Sequence, residues 1–304
     1  MGVAAVLIKI LGSAAGGGFP QWNCRCPNCL LAWNGDPRAV PRMQSSLAIS
    51  VDGDHWLLLN ASPDLRQQII NTPALHPRTG KRHSPIFGVY LTNGDVDHIA
   101  GLLTLREQQS FAVFGSALIL GQLSAHSLFG VLNPALVSKR AVMIDVPVDV
   151  GHGLTVTPFA VPGKAPLYLE GANVEIGQET ETTIGLEIAA GGRRVFHIPG
   201  CAKLTQALKL RIEGADLLLF DGTTFTDDEM PRLGLSQKTA WRMGHMAMSG
   251  PAGSMAGLAD VGLTRKVYVH INNTNPALIE GSPERLAVEA AGWTIAHDGM
   301  EIAL

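Results

Sequence analysis

Short strand-like runs, each closed by turn residues, are the feature of this sequence that most constrains its fold. They occupy residues 3–11, 46–51, 56–60, 88–91, 154–159, 183–188, 194–198, 217–221 and 266–271. Helix-like stretches lie between some of them, at residues 63–71, 99–109, 203–213 and 283–291. Early runs follow one another as in hairpins, whereas later ones alternate with helices. The pattern predicts mixed sheets with helices outside, an α/β or αββα layering rather than a regular doubly wound sheet.

The length and the loops bear on the domain organisation. A chain of 304 residues can bury a large core, and neither a repeat nor a low-complexity linker divides it. We therefore predict a single domain over residues 1–304. Its long loops are expected at residues 16–42, 72–85 and 162–182, and loops of this length in a compact domain are often functional.

Charge and hydropathy argue against several classes of protein. The net charge of -3 offers no basic field for phosphates, so we expect no nucleic-acid partner. No apolar run approaches the roughly 20 residues that a membrane-spanning helix needs, so no transmembrane segment is expected. Lys9 interrupts the first apolar run and no positive charge precedes it, unlike a secretory signal. The interpretation is a cytoplasmic protein that begins with a strand.

Three of the four cysteines, Cys24, Cys26 and Cys29, lie in one short stretch. In a reducing compartment such a group favours a metal site over a disulfide framework. Three thiolates so close supply three of the four tetrahedral ligands of a structural Zn²⁺. No fourth cysteine stands nearby, and a redox or chance cluster is the alternative. Cys201 is expected to be an ordinary buried thiol.

Two histidines follow strand-like runs in positions suited to metal binding. Asp97 and His98 come in a short turn after the run 88–91, and both side chains are good ligands for Zn, Fe or Mn. A solvated loop with a helix N-cap would also explain this pair. His270 lies near the end of the run 266–271 and is followed by three asparagines. Amides in this place serve either a tight turn or polar recognition.

A further carboxylate and imidazole are candidates for the same region. Asp221 ends the apolar run 217–221, at the rim of a sheet where α/β proteins bind ligands. His245 sits between glycine and small residues, where its ring could reach into a cavity. A surface histidine beside a turn is the alternative.

Together these features resemble the coenzyme PQQ synthesis protein B family. The matching stretches are residues 11–29 (LGSAAGGGFPQWNCRCPNC), 44–46 (QSS), 60–64 (NASPD), 101–107 (GLLTLRE), 243–245 (MGH) and 270–276 (HINNTNP). The resemblance extends over nearly the whole chain. It implies the metallo-β-lactamase superfamily, near its RNase Z and cyclic phosphodiesterase branches. The implied fold is an αββα sandwich of two mixed sheets with helices outside, carrying a cysteine zinc loop at about residues 16–42.

The resemblance also implies which residues hold a metal. The superfamily pattern His-x-His-x-Asp-His corresponds here to residues 93–98 (NGDVDH). Asp97 and His98 match the ligands of one metal, and His270 matches the late histidine of the same metal. Asn93 and Asp95 replace the two histidines that would hold the other metal.

Two further departures from the superfamily pattern also indicate that the second metal site is missing. The stretch 160–164, with Gly163, runs where the superfamily supplies another histidine, and the stretch 197–201, with Gly200, runs where a bridging aspartate is expected. The remaining two-histidine, one-carboxylate set leaves about three open positions on an octahedral Fe(II), enough for dioxygen and substrate. The usual hydrolase of this superfamily instead needs two metals, so the loss of one site argues against hydrolysis without excluding it.

Other positions take their expected roles from the same resemblance. Asp221 and His245 match the carboxylate–histidine pair beside the metals in the RNase Z branch, and such a pair suits proton transfer. In the cyclic phosphodiesterase branch, a histidine three residues after the late metal histidine completes the zinc site. Here that position is Asn273, so Asn273, another histidine or a water is the expected fourth ligand.

The leading hypothesis is an iron- and oxygen-dependent hydroxylase acting on the tyrosine ring of the cross-linked Glu–Tyr intermediate in PQQ biosynthesis. Its partners would be that small molecule, dioxygen and other PQQ biosynthesis proteins. Substrate carboxylates would be bound by Arg42, Ser45, Ser46, Asn273 and Asn275, Arg42 foremost because a guanidinium grips a carboxylate with two hydrogen bonds. A carrier of PQQ or its precursor for transfer or export, and a metal-dependent hydrolase, are the alternatives.

Overall fold

Two seven-stranded sheets form the centre of the computed structural model, which describes residues 5–171 and 174–304. The first sheet contains, in spatial order, β14 (Glu301–Ala303), β1 (Leu7–Gly12), β2 (Ser46–Ser50), β3 (Trp56–Leu59), β4 (Ile86–Tyr90), β5 (Phe111–Ser116) and β6 (Val137–Val142). The second contains β13 (Thr294–Ile295), β12 (Lys266–Val269), β11 (Leu217–Asp221), β10 (Arg193–Ile198), β9 (Gln178–Ala190), β8 (Leu154–Gly163) and β7 (Val148–Gly151).

Both sheets are mixed. In the first, β14, β1, β2 and β3 pair antiparallel, and β3 to β6 pair parallel. In the second, β7 to β10 pair antiparallel, and β10 to β13 pair parallel. The parallel halves require crossovers, which the helices supply. The predicted α/β class with αββα layering is confirmed.

Nine α-helices connect or cover the strands in the described ranges. They are α1 (Pro27–Trp33), α2 (Leu65–Asn71), α3 (Val96–Ile99), α4 (Ala117–Ala125), α5 (Gln206–Ile212), α6 (Glu229–Arg232), α7 (Ala240–Met243), α8 (Ser254–Gly257) and α9 (Pro283–Ala290). The predicted start of α9 is confirmed, since the Ser282 side chain accepts a hydrogen bond from the Arg285 N–H and Pro283 opens the helix. Among the described residues, no helix has both the length and the apolar character to span a membrane.

The core divides into two layers on either side of the second sheet. In β11, Leu217 and Leu219 face the apolar cluster between the sheets, whereas Leu218 and Phe220 face a second cluster that contains Leu208 of α5. A strand buried on both faces reads as a continuous apolar run, as β11 does. Asp221 at its end therefore lies at the rim of the core, close to His270, which follows the neighbouring strand β12.

Some predicted elements need correction. The helix predicted at residues 99–109 is α3 followed by a 3₁₀ helix, Ala100–Arg106, because the His98 carbonyl accepts from the Ala61 N–H and the Gly101 N–H donates to Ala61. The loop predicted at residues 162–182 is shorter, since β8 and β9 pair as far as Gly163 and Gln178. Residues 178–181 are polar and exposed, which is why they resemble a loop in sequence. The first two residues of the predicted strand 3–11 lie outside the described residues.

Candidate metal centre

Asp97 and His98 lie in α3, immediately after the turn that ends β4. The His98 Nδ1 is 2.7 Å from the Asn93 Oδ1, which also accepts from the Asp95 N–H at 3.0 Å. An amide oxygen accepts, so Nδ1 carries the ring proton and Nε2 keeps its lone pair. That Nε2 is buried and lacks a hydrogen-bond partner in the described part of the chain. Asn93, which replaces a histidine of the superfamily pattern, thus orients His98.

His270 follows β12 and brings the third predicted ligand to the same place. Its backbone has a φ of 56°, which is rare outside glycine and turns the side chain away from the strand direction. The His270 Nε2 is 3.0 Å from the Asp97 Oδ2, and the His98 Nε2 is 3.8 Å from that same oxygen. The ligand atoms of Asp97, His98 and His270 all lie within 4.8 Å of one another.

The electrostatics of these three residues suit a cation. Burial raises the pKa of the Asp97 carboxyl, but the nearby His98 and the hydrogen bond with His270 outweigh it and hold that pKa below its usual range. Burial lowers the pKa of His98 to about 4, so its ring is neutral at pH 7. A buried acceptor without a partner costs about 1–3 kcal/mol. One carboxylate and two imidazole nitrogens, one of them otherwise unsatisfied, therefore fit a single divalent metal ion.

Asp221 and His245 form the predicted carboxylate–imidazole pair. The His245 Nδ1 is 2.7 Å from the Asp221 Oδ2, which also accepts from the Cys201 N–H at 2.9 Å. Because the carboxylate accepts, the His245 Nδ1 carries the proton and its Nε2 is left as a base. The His245 ring stacks on the His270 ring with centroids 5.3 Å apart. The pair therefore stands directly beside the three candidate ligands.

Thr223 is the site residue that sequence reasoning missed. Its hydroxyl lies 2.7 Å from the Asp221 Oδ1 and 3.0 Å from the His270 Nδ1. The hydroxyl donates to the carboxylate and accepts from the His270 Nδ1–H, so the His270 Nε2, which contacts Asp97, is the ring atom that faces the candidate metal position. The only sequence signal was the position of Thr223, two residues after the strand that ends at Asp221.

The described residues provide little for a second metal. A Cβ at Gly200 would lie 3.6 Å from the His245 Cε1, so this glycine occupies the place where a longer side chain would enter the centre. Asp221, His245 and His270 form another group within 4.8 Å, but both Asp221 oxygens already accept hydrogen bonds and His270 belongs to the first group. Asp95 faces the same cavity, and burial together with Asp97 raises its pKa.

A cavity of about 320 Å³ opens onto the three ligands. That size suits one small molecule. Its walls carry Asp95, His245 and Asn272 near the ligands, and Lys164 and Lys238 further along. The metal centre is thus accessible to a ligand from one side.

The cysteine loop forms a second, separate cluster. The sulfurs of Cys24, Cys26 and Cys29 lie within 4.8 Å of one another, and all three residues are buried free thiols. Cys26 caps α1 by accepting from the Cys29 N–H. A hydrogen bond from Cys26 lowers the pKa of Cys29 to about 6. The Asn273 amide nitrogen, Nδ2, donates to the Cys24 and Cys29 sulfurs, each 3.3 Å away, so the Asn273 side chain lies directly beside the three cysteines.

The predicted substrate-binding residues are not in the cavity wall, and this prediction needs correction. The Arg42 guanidinium is buried and donates to the Ala296 carbonyl, beside Asp298, which fixes it inside the fold. Ser45 and Ser46 are fully buried, and the Ser46 hydroxyl donates to the Asn60 carbonyl.

The same correction applies to two of the asparagines. Asn275 donates to the Gly222 carbonyl and accepts from the Ala277 N–H, which stabilises the turn after His270. Asn273 faces the cysteines rather than the cavity. Arg42, Ser46 and Asn275 bond to backbone groups, and Asn273 bonds to the cysteine cluster, uses that their sequence positions do not distinguish from substrate binding.

Fold and site define the class of protein, and comparison with known proteins agrees. Residues 55–271 match the model of the beta-lactamase superfamily domain. The chain is 59% identical over 295 residues to coenzyme PQQ synthesis protein B of Methylobacterium sp. (strain 4-46), covering 97% of this chain and 99% of that protein. It is 51% identical over 298 residues to the protein of the same name from Xanthomonas oryzae pv. oryzae (strain MAFF 311018), covering 98% and 99%. The chain belongs to the coenzyme PQQ synthesis protein B family.

Solved structures give the same result. The crystal structure of Zn²⁺-bound PqqB from Methylobacterium extorquens is 58% identical, covers 98% of this chain and 100% of that one, and superposes with a TM-score of 0.97. A diphosphatase from the PhnP family, 18% identical, covers 99% and 97% with a TM-score of 0.71. At that identity the second likeness shows the shared fold alone.

Proposed function

We propose that this protein is an iron- and oxygen-dependent hydroxylase that acts on the tyrosine ring of the cross-linked Glu–Tyr intermediate of PQQ biosynthesis. The observation that carries the proposal is the convergence of Asp97, His98 and His270, with Asn93 and Gly200 in the places of second-metal ligands. A two-histidine, one-carboxylate face with open positions is characteristic of non-haem Fe(II) oxygenases. The usual hydrolase of this superfamily uses a second metal to stabilise the leaving oxygen.

In this proposal Asp97, His98 and His270 hold Fe(II), and the iron supplies the means of activating dioxygen. Asn93 and Thr223 accept from the Nδ1–H groups of His98 and His270, which directs the Nε2 atoms of both rings towards the metal position. His245, held by Asp221, takes up or returns the proton at its Nε2. One oxygen atom of dioxygen would be inserted into a ring C–H bond to give a hydroxyl group, and the other would leave as water. Two electrons and two protons are therefore required, and a reductant such as ascorbate supplies the electrons in an assay.

The cysteine loop, residues 16–42, has a structural role in this proposal. Cys24, Cys26 and Cys29 bind Zn²⁺, with the amide of Asn273 as fourth ligand if its oxygen faces the metal. A relative at 58% identity crystallised with zinc, which supports a metal in this chain as well. The loop belongs to a single domain over residues 1–304. Free thiols in such a cluster also favour a reducing compartment, the cytoplasm, where other PQQ biosynthesis proteins are the expected partners.

One experiment tests the proposal directly. The protein is reconstituted anaerobically with Fe(II), mixed with the cross-linked intermediate and ascorbate, and exposed to ¹⁸O-labelled dioxygen. Incorporation of one labelled oxygen atom into the ring is expected in the wild type and not in His98→Ala. Equal turnover in both proteins, or in neither, would contradict the proposal. Tight binding of PQQ without turnover would favour a carrier, and zinc-dependent turnover without oxygen would favour a hydrolase.

A further inference from the structure

Two lysines line the cavity of the metal centre, and they differ in their partners. The Lys164 Nζ is 2.8 Å from a Glu170 oxygen, and Arg242 is 2.9 Å from the other Glu170 oxygen. Lys238 is half-buried, and its ammonium has neither an ion pair nor a hydrogen bond within residues 5–171 and 174–304. An unpaired ammonium in the wall of the cavity that leads to the candidate ligands is available to an anionic ligand.

The charges of the cavity favour an anionic ligand. Its carboxylates are Asp95 and Asp97, which together balance one divalent ion at the metal centre. Glu170 is shared by Lys164 and Arg242, so this group keeps one net positive charge. Lys238 adds a second positive charge, and among the described residues of the wall it is the lysine without a carboxylate partner. A partly enclosed cavity with surplus positive charge concentrates anions, because its low-dielectric walls focus the field.

The backbone around Lys238 is fixed. The Lys238 N–H donates to the Ser236 hydroxyl at 3.1 Å, and the following Thr239 caps α7 by accepting from the Arg242 N–H at 3.2 Å. Helix α7 ends at Gly244, whose positive φ of 87° turns the chain into His245. Lys238 therefore begins the segment that ends at His245, and these bonds fix the backbone of Lys238 relative to the His245 ring.

From these observations we propose that Lys238 binds a carboxylate of the substrate and so orients it in front of the metal. The identity of the substrate rests on the proposed function, whose Glu–Tyr compound carries carboxylates at its amino-acid ends. Arg42, which the sequence suggested for this task, is held inside the fold by the Ala296 carbonyl. Lys238 therefore replaces Arg42 as the residue that determines specificity for an acidic small molecule.

The test measures binding separately from chemistry. Iron-loaded protein is titrated anaerobically with the cross-linked intermediate by calorimetry, in the wild type, Lys238→Ala, Lys238→Arg and the exposed control Lys81→Ala. A hydrogen bond to a charged group corresponds to a roughly 10–100-fold change in Kd. We expect that loss in Lys238→Ala, with iron content unchanged, and values within a few-fold of wild type in the other two variants. Added salt should weaken binding to the wild type more than to Lys238→Ala.

The outcomes distinguish this proposal from the hydroxylase proposal. Equal affinities of the wild type and Lys238→Ala would overturn the role of Lys238. If Lys238→Ala binds weakly but the wild type incorporates no oxygen, the hydroxylase proposal fails and the role of Lys238 stands. If the wild type does not bind the intermediate, the same titration is made with PQQ, which also carries carboxylates. Failure of the wild type to bind either compound would also overturn the role of Lys238.

Discussion

The two candidate metal sites use the same segment of chain in opposite ways. His270, at the start of the stretch 270–276, faces a cavity and meets Asp97 and His98. Asn273 lies three residues later in the chain, and its side chain contacts the sulfurs of the buried cysteines. Structural zinc sites are closed, whereas catalytic sites keep positions open. The comparison teaches that openness to the cavity, and not merely ligand type, separates the two roles.

The shared segment is itself held rigidly. Thr274 donates to the Glu229 carboxylate, and Asn275 donates to the Gly222 carbonyl at 3.0 Å. These bonds fix the turn that sets His270 and Asn273 on opposite sides. Both sites depend on this turn. A substitution that removes the metal from only one site would therefore show that the two sites have separate roles.

The largest expected effect separates the two sites. Cys29→Ser should lose zinc and lower the free energy of unfolding by about 3 kcal/mol or more, because a metal ligand in a buried group is removed. His98→Ala should keep that zinc and most of the stability but lose iron. Substitution of a residue that hydrogen-bonds a metal ligand typically lowers activity by roughly 10–100-fold. Because His98 is a candidate ligand itself, its loss should lower product formation by more than this. Metal analysis, urea unfolding and the labelled-oxygen assay measure the three quantities.

Matched controls accompany this pair of variants. Cys201→Ser changes a buried cysteine outside the cluster and should retain zinc, and His55→Ala changes an exposed histidine and should retain iron. If Cys29→Ser kept its zinc, or if His98→Ala lost zinc and iron together, the division into a closed and an open site would be wrong.

The next effect concerns the support of the shared turn. Burial raises the pKa of Glu229 to about 7 from a usual value of 4.5, so the folded protein holds this proton more tightly than the unfolded chain. Stability from this group is therefore present below pH 4.5 and is lost as the pH rises towards 7, by about 2 kcal/mol between pH 5 and 8. Glu229→Gln imitates the protonated form and should remove that dependence. Urea unfolding at both pH values checks it, and an equal decline in both proteins would contradict it.

The sequence predicted that the three candidate metal ligands lie together, but it did not predict several of the groups around them. Asp97 and His98 lie in a recognisable motif after β4 of the first sheet, and His270 lies in another directly after β12 of the second. The two motifs meet where the two sheets deliver these residues to one place. Arg42 and Asn275 have suitable chemistry too, but their hydrogen bonds to the backbone of distant segments appear only once the chain is folded. Lys238 and Thr223 carry no motif, since their relevance depends on which side of the cavity wall they occupy.

Long-range contacts that are invisible in the sequence also explain the errors in the predicted strands. The apolar pattern of residues 217–221 was sufficient to predict β11, because both faces of this strand are buried. The first residues of β9 are polar, so only their pairing with β8 reveals a strand. The long-range ladder overrides the local propensity there.

The smallest expected effect concerns the hydrogen bonds that support His270 in the open site and not the cysteines in the closed one. Thr223→Val removes the hydroxyl that links Asp221 to the His270 Nδ1 while keeping the shape of the side chain. The His270 proton then has no fixed position, and we expect kcat to fall about tenfold, the lower end for a group that orients a ligand. Thr223→Ser retains the hydroxyl and should recover most of the rate, and zinc content should stay constant in both variants. A valine variant as active as wild type, or a serine variant as impaired as valine, would show that Thr223 contributes packing rather than the proton position that keeps His270 ready for a metal.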